Sequence, residues 1–162
     1  MTHITQVQLG NTAEVLQLPV TAVIPQRSPF LFVDHIIEGE PGTFAISSYE
    51  VKPDNPVFTG HFPDFPILPG VLLVENMAQT ACWVLAAQVN QPSDANQLYV
   101  LARITQCTFR RMVRPHDVLH TRAELSRDLG QFASFQCQVT AGGESVATAE
   151  LLVARRAAQA QL

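Results

Sequence analysis

Apolar and polar residues change rhythm along the chain. Over residues 43–51 they alternate, with Phe44, Ile46 and Tyr49 set among polar neighbours, which predicts a strand with one buried face. A short apolar run, 31–37, precedes it. From 70 to about 88, apolar or small residues recur at Val71, Val74, Ala78, Ala81, Cys82 and Leu85, which is the spacing of a helix. Gln91-Pro92-Ser93-Asp94 ends that region. Strands are then predicted near 98–110, 117–127, 131–141 and 145–154, with turns at Asp128-Leu129-Gly130 and Gly142-Gly143. One helix followed by a long antiparallel meander predicts an α+β fold rather than alternating βαβ units.

Residues 52–69 follow neither rhythm. Five prolines and one glycine among eighteen residues exclude regular structure. The same stretch carries Val57, Phe58, Phe62, Phe65, Ile67 and Leu68. A stiff, apolar loop of that length is unusual in a compact domain and points to function. Pro69 suits the first turn of the following helix, where its missing N–H costs nothing. Residues 1–20 are the least informative and read as an extended arm or a short strand. Residues 24–30, with two prolines, read as irregular. No repeat, low-complexity tract or linker interrupts the chain, so residues 1–162 are expected to form one domain.

Composition adds constraints. Hydrophobic residues make up 47% and charged residues only 15%, which suggests further surface buried in an oligomer. A net charge of −4 without a long basic run argues against a nucleic-acid partner. No apolar stretch reaches the ~18 residues a membrane span needs. The first residues lack the basic and apolar regions of a signal peptide. Three widely spaced cysteines without a CxxC read as free thiols in a reducing cytoplasm.

Two polar residues stand where chemistry would need them. Glu75 lies four positions after Val71 and three before Ala78, on or beside the apolar stripe. A carboxyl held against apolar surface keeps its proton to higher pH, as a general acid requires. Periodicity alone fits a solvated glutamate at the stripe's edge equally well. His61 sits in Gly60-His61-Phe62-Pro63, inside the stiff loop. An imidazole exchanges protons near neutral pH, although a lone histidine in a turn is more often structural. At Leu68-Pro69-Gly70-Val71 the first N–H groups of a helix have no intrahelical partner, and a glycine admits a ligand close to the backbone. Such an N–H could polarise a thioester carbonyl.

The run from Gly60 to Gln79, GHFPDFPILPGVLLVENMAQ, resembles the signature of the 3-hydroxyacyl-acyl-carrier-protein dehydratases of FabZ type. The match includes the histidine, the prolines, the Pro-Gly-Val helix start, the glutamate fourteen residues after the histidine, and Met-Ala-Gln. Ile24-Pro25-Gln26-Arg27-Ser28-Pro29-Phe30-Leu31-Phe32-Val33-Asp34 and the segment from Phe109 to Asp117 extend the similarity over about residues 20–155. The resemblance implies a hot-dog fold, an antiparallel sheet wrapped around one long central helix. It implies a dimer whose sites take His61 from one subunit and Glu75 from the other, and in many members a trimer of dimers. It also implies dehydration of a (3R)-hydroxyacyl group on acyl carrier protein to a trans-2-enoyl group, with no cofactor. His61 would be the base and Glu75 the acid. Gly70 and Val71 N–H would hold the thioester carbonyl, and Phe62, Pro69 and Gln79 would line the substrate pocket. A glutamate at 75 favours this type over the related dehydratase–isomerase, which has aspartate there. Gln26, Ser28 and His116 depart from the family's usual histidine, tyrosine and glycine. These departures leave acyl-chain length and pathway open between fatty acid, polyketide and polyene synthesis.

Arg103, Arg110, Arg111 and Arg114 are four of the ten basic residues within twelve positions. They read either as a solvated sheet edge or as a landing patch for an acidic carrier protein or a phosphate. His116 and His120 have a metal-ligand spacing without an evident third ligand, so no metal is expected. Two rival functions are a hot-dog acyl thioesterase and a non-catalytic acyl-binding subunit of a homo- or heterodimer. The presence of both His61 and Glu75 argues against each.

Overall fold

The computed structural model describes residues 12–88 and 97–157. In chain order it has helix α1 (Thr12–Gln17), strands β1 (His35–Glu40) and β2 (Phe44–Glu50), helix α2 (Gly70–Ala86), and strands β3 (Gln97–Phe109), β4 (Val118–Asp128), β5 (Phe132–Ala141) and β6 (Glu144–Ala157). The strands form one antiparallel sheet in the order β1-β2-β4-β5-β6-β3. This is the expected α+β architecture. Gly142 and Gly143 both take positive φ and close the tight β5–β6 turn, a conformation that side chains disfavour.

Helix α2 packs on β2, β4, β5 and β6. Twelve of its seventeen residues are buried, including every residue from Asn76 to Leu85. The predicted stripe is therefore only part of the buried surface, and its first member, Val71, is 72% exposed. Trp83 and Met77 of the helix meet a core that includes Leu119, Phe135 and Leu151. Each such large side chain contributes about 1.5–3 kcal/mol on burial.

Three local expectations change. Residues 12–17 form a helix rather than an arm or strand, because Val15 is drawn wholly into the core; residues 1–11 and the predicted stop at 91–94 lie outside the described residues. The proline-rich loop contains a 3-10 turn at Pro56–Thr59, started by Pro56 and capped by Asn55, whose Oδ1 accepts the Val57 N–H at 3.0 Å. Within the apolar run 31–37, β1 begins only at His35. Upstream of it, the backbone of Phe32 is taken by helix side chains: Gln79 Oε1 accepts its N–H at 2.8 Å, and Asn76 Nδ2 donates to its carbonyl.

The two sheet edges differ. β1 is short, bulged between Ile36 and Glu38, and carries two glutamates, features that discourage edge pairing. β3 has thirteen residues and leaves Leu98, Val100, Ile104 and Phe109 exposed. An apolar edge of that length is a template for a further strand.

Candidate active site

His61 follows directly on the 3-10 turn, and its N–H donates to the Val57 carbonyl at 2.9 Å. Its Nδ1 lies 2.9 Å from the Ile67 carbonyl oxygen. A carbonyl only accepts, so Nδ1 carries a proton, and the tautomer this selects has its lone pair at Nε2. The Phe62 ring lies 4.2 Å from the imidazole, centroid to centroid. Phe62 has a φ of 56°, a rare backbone state for an aromatic residue, and is more than half exposed.

Glu75 is half-buried in the second turn of α2. Burial pushes its carboxyl above the ordinary range, while the Gln79 amide, donating from Nε2 to Oε1 at 2.9 Å, pulls the other way; the net shift is upward. Gln79 is fully buried, and its amide is also spent on the Phe30 carbonyl and the Phe32 N–H. It was expected to line the substrate pocket; with no exposed surface it instead holds Glu75 against the 30–32 segment. Next to Glu75, Asn76 donates to the Phe32 carbonyl and accepts from the Thr121 hydroxyl. Thr80 donates to the Asn76 carbonyl at 2.8 Å and meets Ser47 at 2.7 Å. This buried network fixes the rotation of the helix that carries Glu75.

The helix starts at Gly70 with Pro69 as its half-buried cap residue. Among the described residues, neither the Gly70 nor the Val71 N–H has a hydrogen-bond partner. A side chain at position 70 would meet the Phe109 ring at 3.1 Å, which accounts for the glycine. Beside it opens an apolar groove of ≈ 360 Å³, lined by Ile67, Leu68, Leu73, Phe109, Met112 and neighbouring residues. A larger concavity of ≈ 420 Å³ on the outer sheet face is lined by Arg122, Glu124, Gln136 and Glu150, which pair among themselves.

Residues 24–150 match the FabA-like domain. Similar curated proteins are 3-hydroxyacyl-[acyl-carrier-protein] dehydratases FabZ. The protein of Chloroflexus aggregans is 40% identical over 83% of this chain and 92% of its own length. That of Geobacillus thermodenitrificans is 37% identical over 83% and 91%. The chain belongs to the FabZ family. Its fold is also that of more distant solved structures. The dehydratase heterocomplex ApeI:P of Xenorhabdus doucetiae matches with a TM-score of 0.69 at 19% identity, over 86% of this chain and 91% of that one. The PaaI protein of Escherichia coli matches with a TM-score of 0.58 at 17% identity, over 74% and 81%.

In this FabZ-family chain no hydrogen bond or ion pair joins His61 to Glu75 among the described residues. The arginine cluster divides. Arg111 makes two hydrogen bonds to Asp117, at 3.0 and 2.9 Å, and a salt bridge to Glu144 at 3.4 Å, so its charge is spent inside the chain rather than offered to a partner. Arg114 lies over the Phe65 ring at 4.8 Å. Arg103 sits on β3, and Arg110 follows directly on its last residue, Phe109. Of these four arginines, Arg103 and Arg110 have no ion pair or ring partner among the described residues.

Sequence reasoning missed three things here. The Ile67 carbonyl orients His61, and a backbone acceptor leaves no residue-type signal. Asn76 and Thr121 are 45 positions apart, so nothing local announces their bond. Phe109 enters the sequence reading only as part of a family segment; an aromatic at a strand end, far in sequence from Gly70, gives no local sign of their contact.

Proposed function

We propose that this chain removes water from a (3R)-hydroxyacyl group carried as a thioester on acyl carrier protein, giving the trans-2-enoyl thioester. The observation that carries the reading is the His61 ring, held through Nδ1 so that Nε2 is free to accept a proton. His61 Nε2 takes a proton from C2, made acidic by the thioester. The Gly70 and Val71 N–H groups, aligned with the positive end of α2, hold the carbonyl oxygen as it gains charge. Glu75, whose carboxyl burial pushes above the ordinary range, gives its proton to the C3 hydroxyl as the C–O bond breaks and water leaves. The two residues end in exchanged protonation states, and solvent resets them. The chain's own side chains and backbone supply each of these steps.

A second copy completes the site in this reading. The long apolar edge of β3 and the exposed Phe30, Val71, Phe109 and Met112 near the helix start support a dimer that brings His61 of one protomer to Glu75 of the other. Assembly into a trimer of dimers is compatible with that arrangement. The thioesterase alternative has no comparable support, since burial raises the Glu75 pKa and favours an acid over a nucleophilic carboxylate. Three free cysteines fit a cytoplasmic enzyme, and no helix among the described residues is long and apolar enough to cross a membrane.

Incubation with carrier-bound 3-hydroxyacyl chains of graded length, read by mass, separates the possibilities. Loss of one water supports the proposal; loss of the acyl group, or no change, rejects it. Mixing inactive His61→Ala and Glu75→Gln chains tests the split site, because mixed dimers regain one whole site. Mixed dimers that stay inactive would place both residues in one chain.

A further inference from the structure

We propose that Arg114 is a positioning residue for His61, acting through Phe65. The inference rests on the reading of His61 as the proton acceptor. Two loops meet beside the helix start. The connection between β3 and β4 is rigid: Asp117 accepts both Arg111 N–H bonds and the Arg114 backbone N–H at 2.8 Å. It is tied to β2 as well, since the His116 N–H donates to the Val51 carbonyl at 2.7 Å and the Val51 N–H to the Asp117 carbonyl at 2.9 Å. Burial pushes the Asp117 carboxyl up, but Arg111 and the Arg114 backbone outweigh it, so Asp117 stays a carboxylate below its usual range. This connection is a fixed buttress.

The 60–69 loop leans on that buttress at two points. Near the helix, the Leu68 N–H donates to the Val113 carbonyl at 2.8 Å. At its outer end, the Arg114 guanidinium covers the Phe65 ring. Between these points the loop's hydrogen bonds among the described residues are internal, from the Phe65 N–H to the Phe62 carbonyl at 2.7 Å and from His61 Nδ1 to Ile67. Phe65 is half exposed, and the Arg114 guanidinium is its ring partner among the described residues. Ile67 is the residue that selects the His61 tautomer, and it lies between the two points of support. Releasing the outer one lets the Ile67 carbonyl drift from Nδ1, and the ring then loses both its orientation and its preference for a free Nε2.

Arg114 was first grouped with the docking arginines, and the two roles separate cleanly. A docking residue changes KM for carrier-borne substrate alone. A positioning residue changes kcat for any substrate, including a 3-hydroxyacyl cysteamine thioester that has no carrier to dock. On that small substrate, Arg114→Ala and Phe65→Ala should each lower kcat about two- to fivefold with KM nearly unchanged, the worth of one exposed cation–aromatic contact. The double variant should be no slower than either single, and Phe65→Tyr, which keeps the ring, should retain wild-type turnover. The second readout needs no turnover: nitrogen NMR of the His61 ring should show the Nδ1-protonated tautomer in the wild type and a larger Nε2-protonated fraction in Arg114→Ala and Arg114→Gln. Multiplying losses in the double variant, or an unchanged tautomer in folded variants, would overturn the proposal. If the wild type does not dehydrate at all, the functional reading fails, and the tautomer measurement still decides whether Arg114 positions the ring.

Discussion

Helix α2 and the loop that leads into it meet at Pro69, and they hold the two halves of the site by opposite means. The helix is fixed by burial: from Asn76 onward it is enclosed on all sides, and its polar side chains are bonded inside the core. The loop is fixed at the surface by prolines, short turns and a few backbone bonds, with Phe62 and Phe65 exposed. A change in the helix therefore reaches the whole fold, whereas a change at an exposed loop residue reaches the reaction, the loop's Phe58 and Leu68 being buried in the core.

His61→Ala is the severest test of that contrast. It removes the general base from the exposed element, so kcat should fall roughly 10²–10⁴-fold with a small change in KM. The melting temperature should stay close to wild type. Glu75→Asp keeps an acid with shorter reach and should retain partial activity. A folded His61→Ala protein that dehydrates substrate at near the wild-type rate would end the mechanism. A large loss of stability would instead show that the loop is part of the core.

Asn76→Ala makes the reverse test in the helix. It strands the Phe32 carbonyl and the Thr121 hydroxyl inside the protein, each without a partner. Leaving such groups unsatisfied costs about 1–3 kcal/mol, and in a protein of this size each kcal/mol lowers the melting temperature by about 2–4 °C. Thermal unfolding measures the loss. Little change would mean that water replaces the amide and that the helix is less tightly enclosed than its burial indicates.

The same contrast explains what could be read from the chain. Period-two alternation marks β2 and helical spacing marks α2 because burial repeats along them, and glycine turns bound the later strands. Gly60-His61-Phe62-Pro63 and Glu75 are legible through residue type and their match to a long family signature. The clamp on Phe32 is illegible, because Asn76 and Gln79 look like ordinary polar residues in a helix. Whether they are buried depends on a segment more than forty positions away. The pairing of Arg111 is illegible for a related reason. Charge clusters along a sequence say nothing about which carboxylates wait nearby, and Asp117 and Glu144 had already claimed Arg111.

Glu75 stands where the two modes of support meet, and its proton gives the finest test. Burial raises its pKa, and the Gln79 N–H lowers it by favouring the charged form. A dehydrating acid must be protonated, so Glu75 sets an alkaline limb in kcat/KM above the ordinary carboxylate range. Gln79→Leu removes the side-chain bond that, among the described residues, favours the carboxylate. The limb should then move to still higher pH, while kcat falls because the carboxyl is no longer aimed. A limb that moves down or stays in place would show that Gln79 does not act on the acid. Stability follows with a definite sign. A carboxyl whose pKa is higher folded than unfolded adds stability below its unfolded pKa, and that contribution is lost as pH rises through the folded value. Glu75→Gln removes the buried charge, so it should raise the melting temperature at pH 8 more than at pH 4, where the wild-type carboxyl is already largely neutral. An equal effect at both pH values would mean that Glu75 meets solvent or a cation that its half-buried place on α2 does not provide.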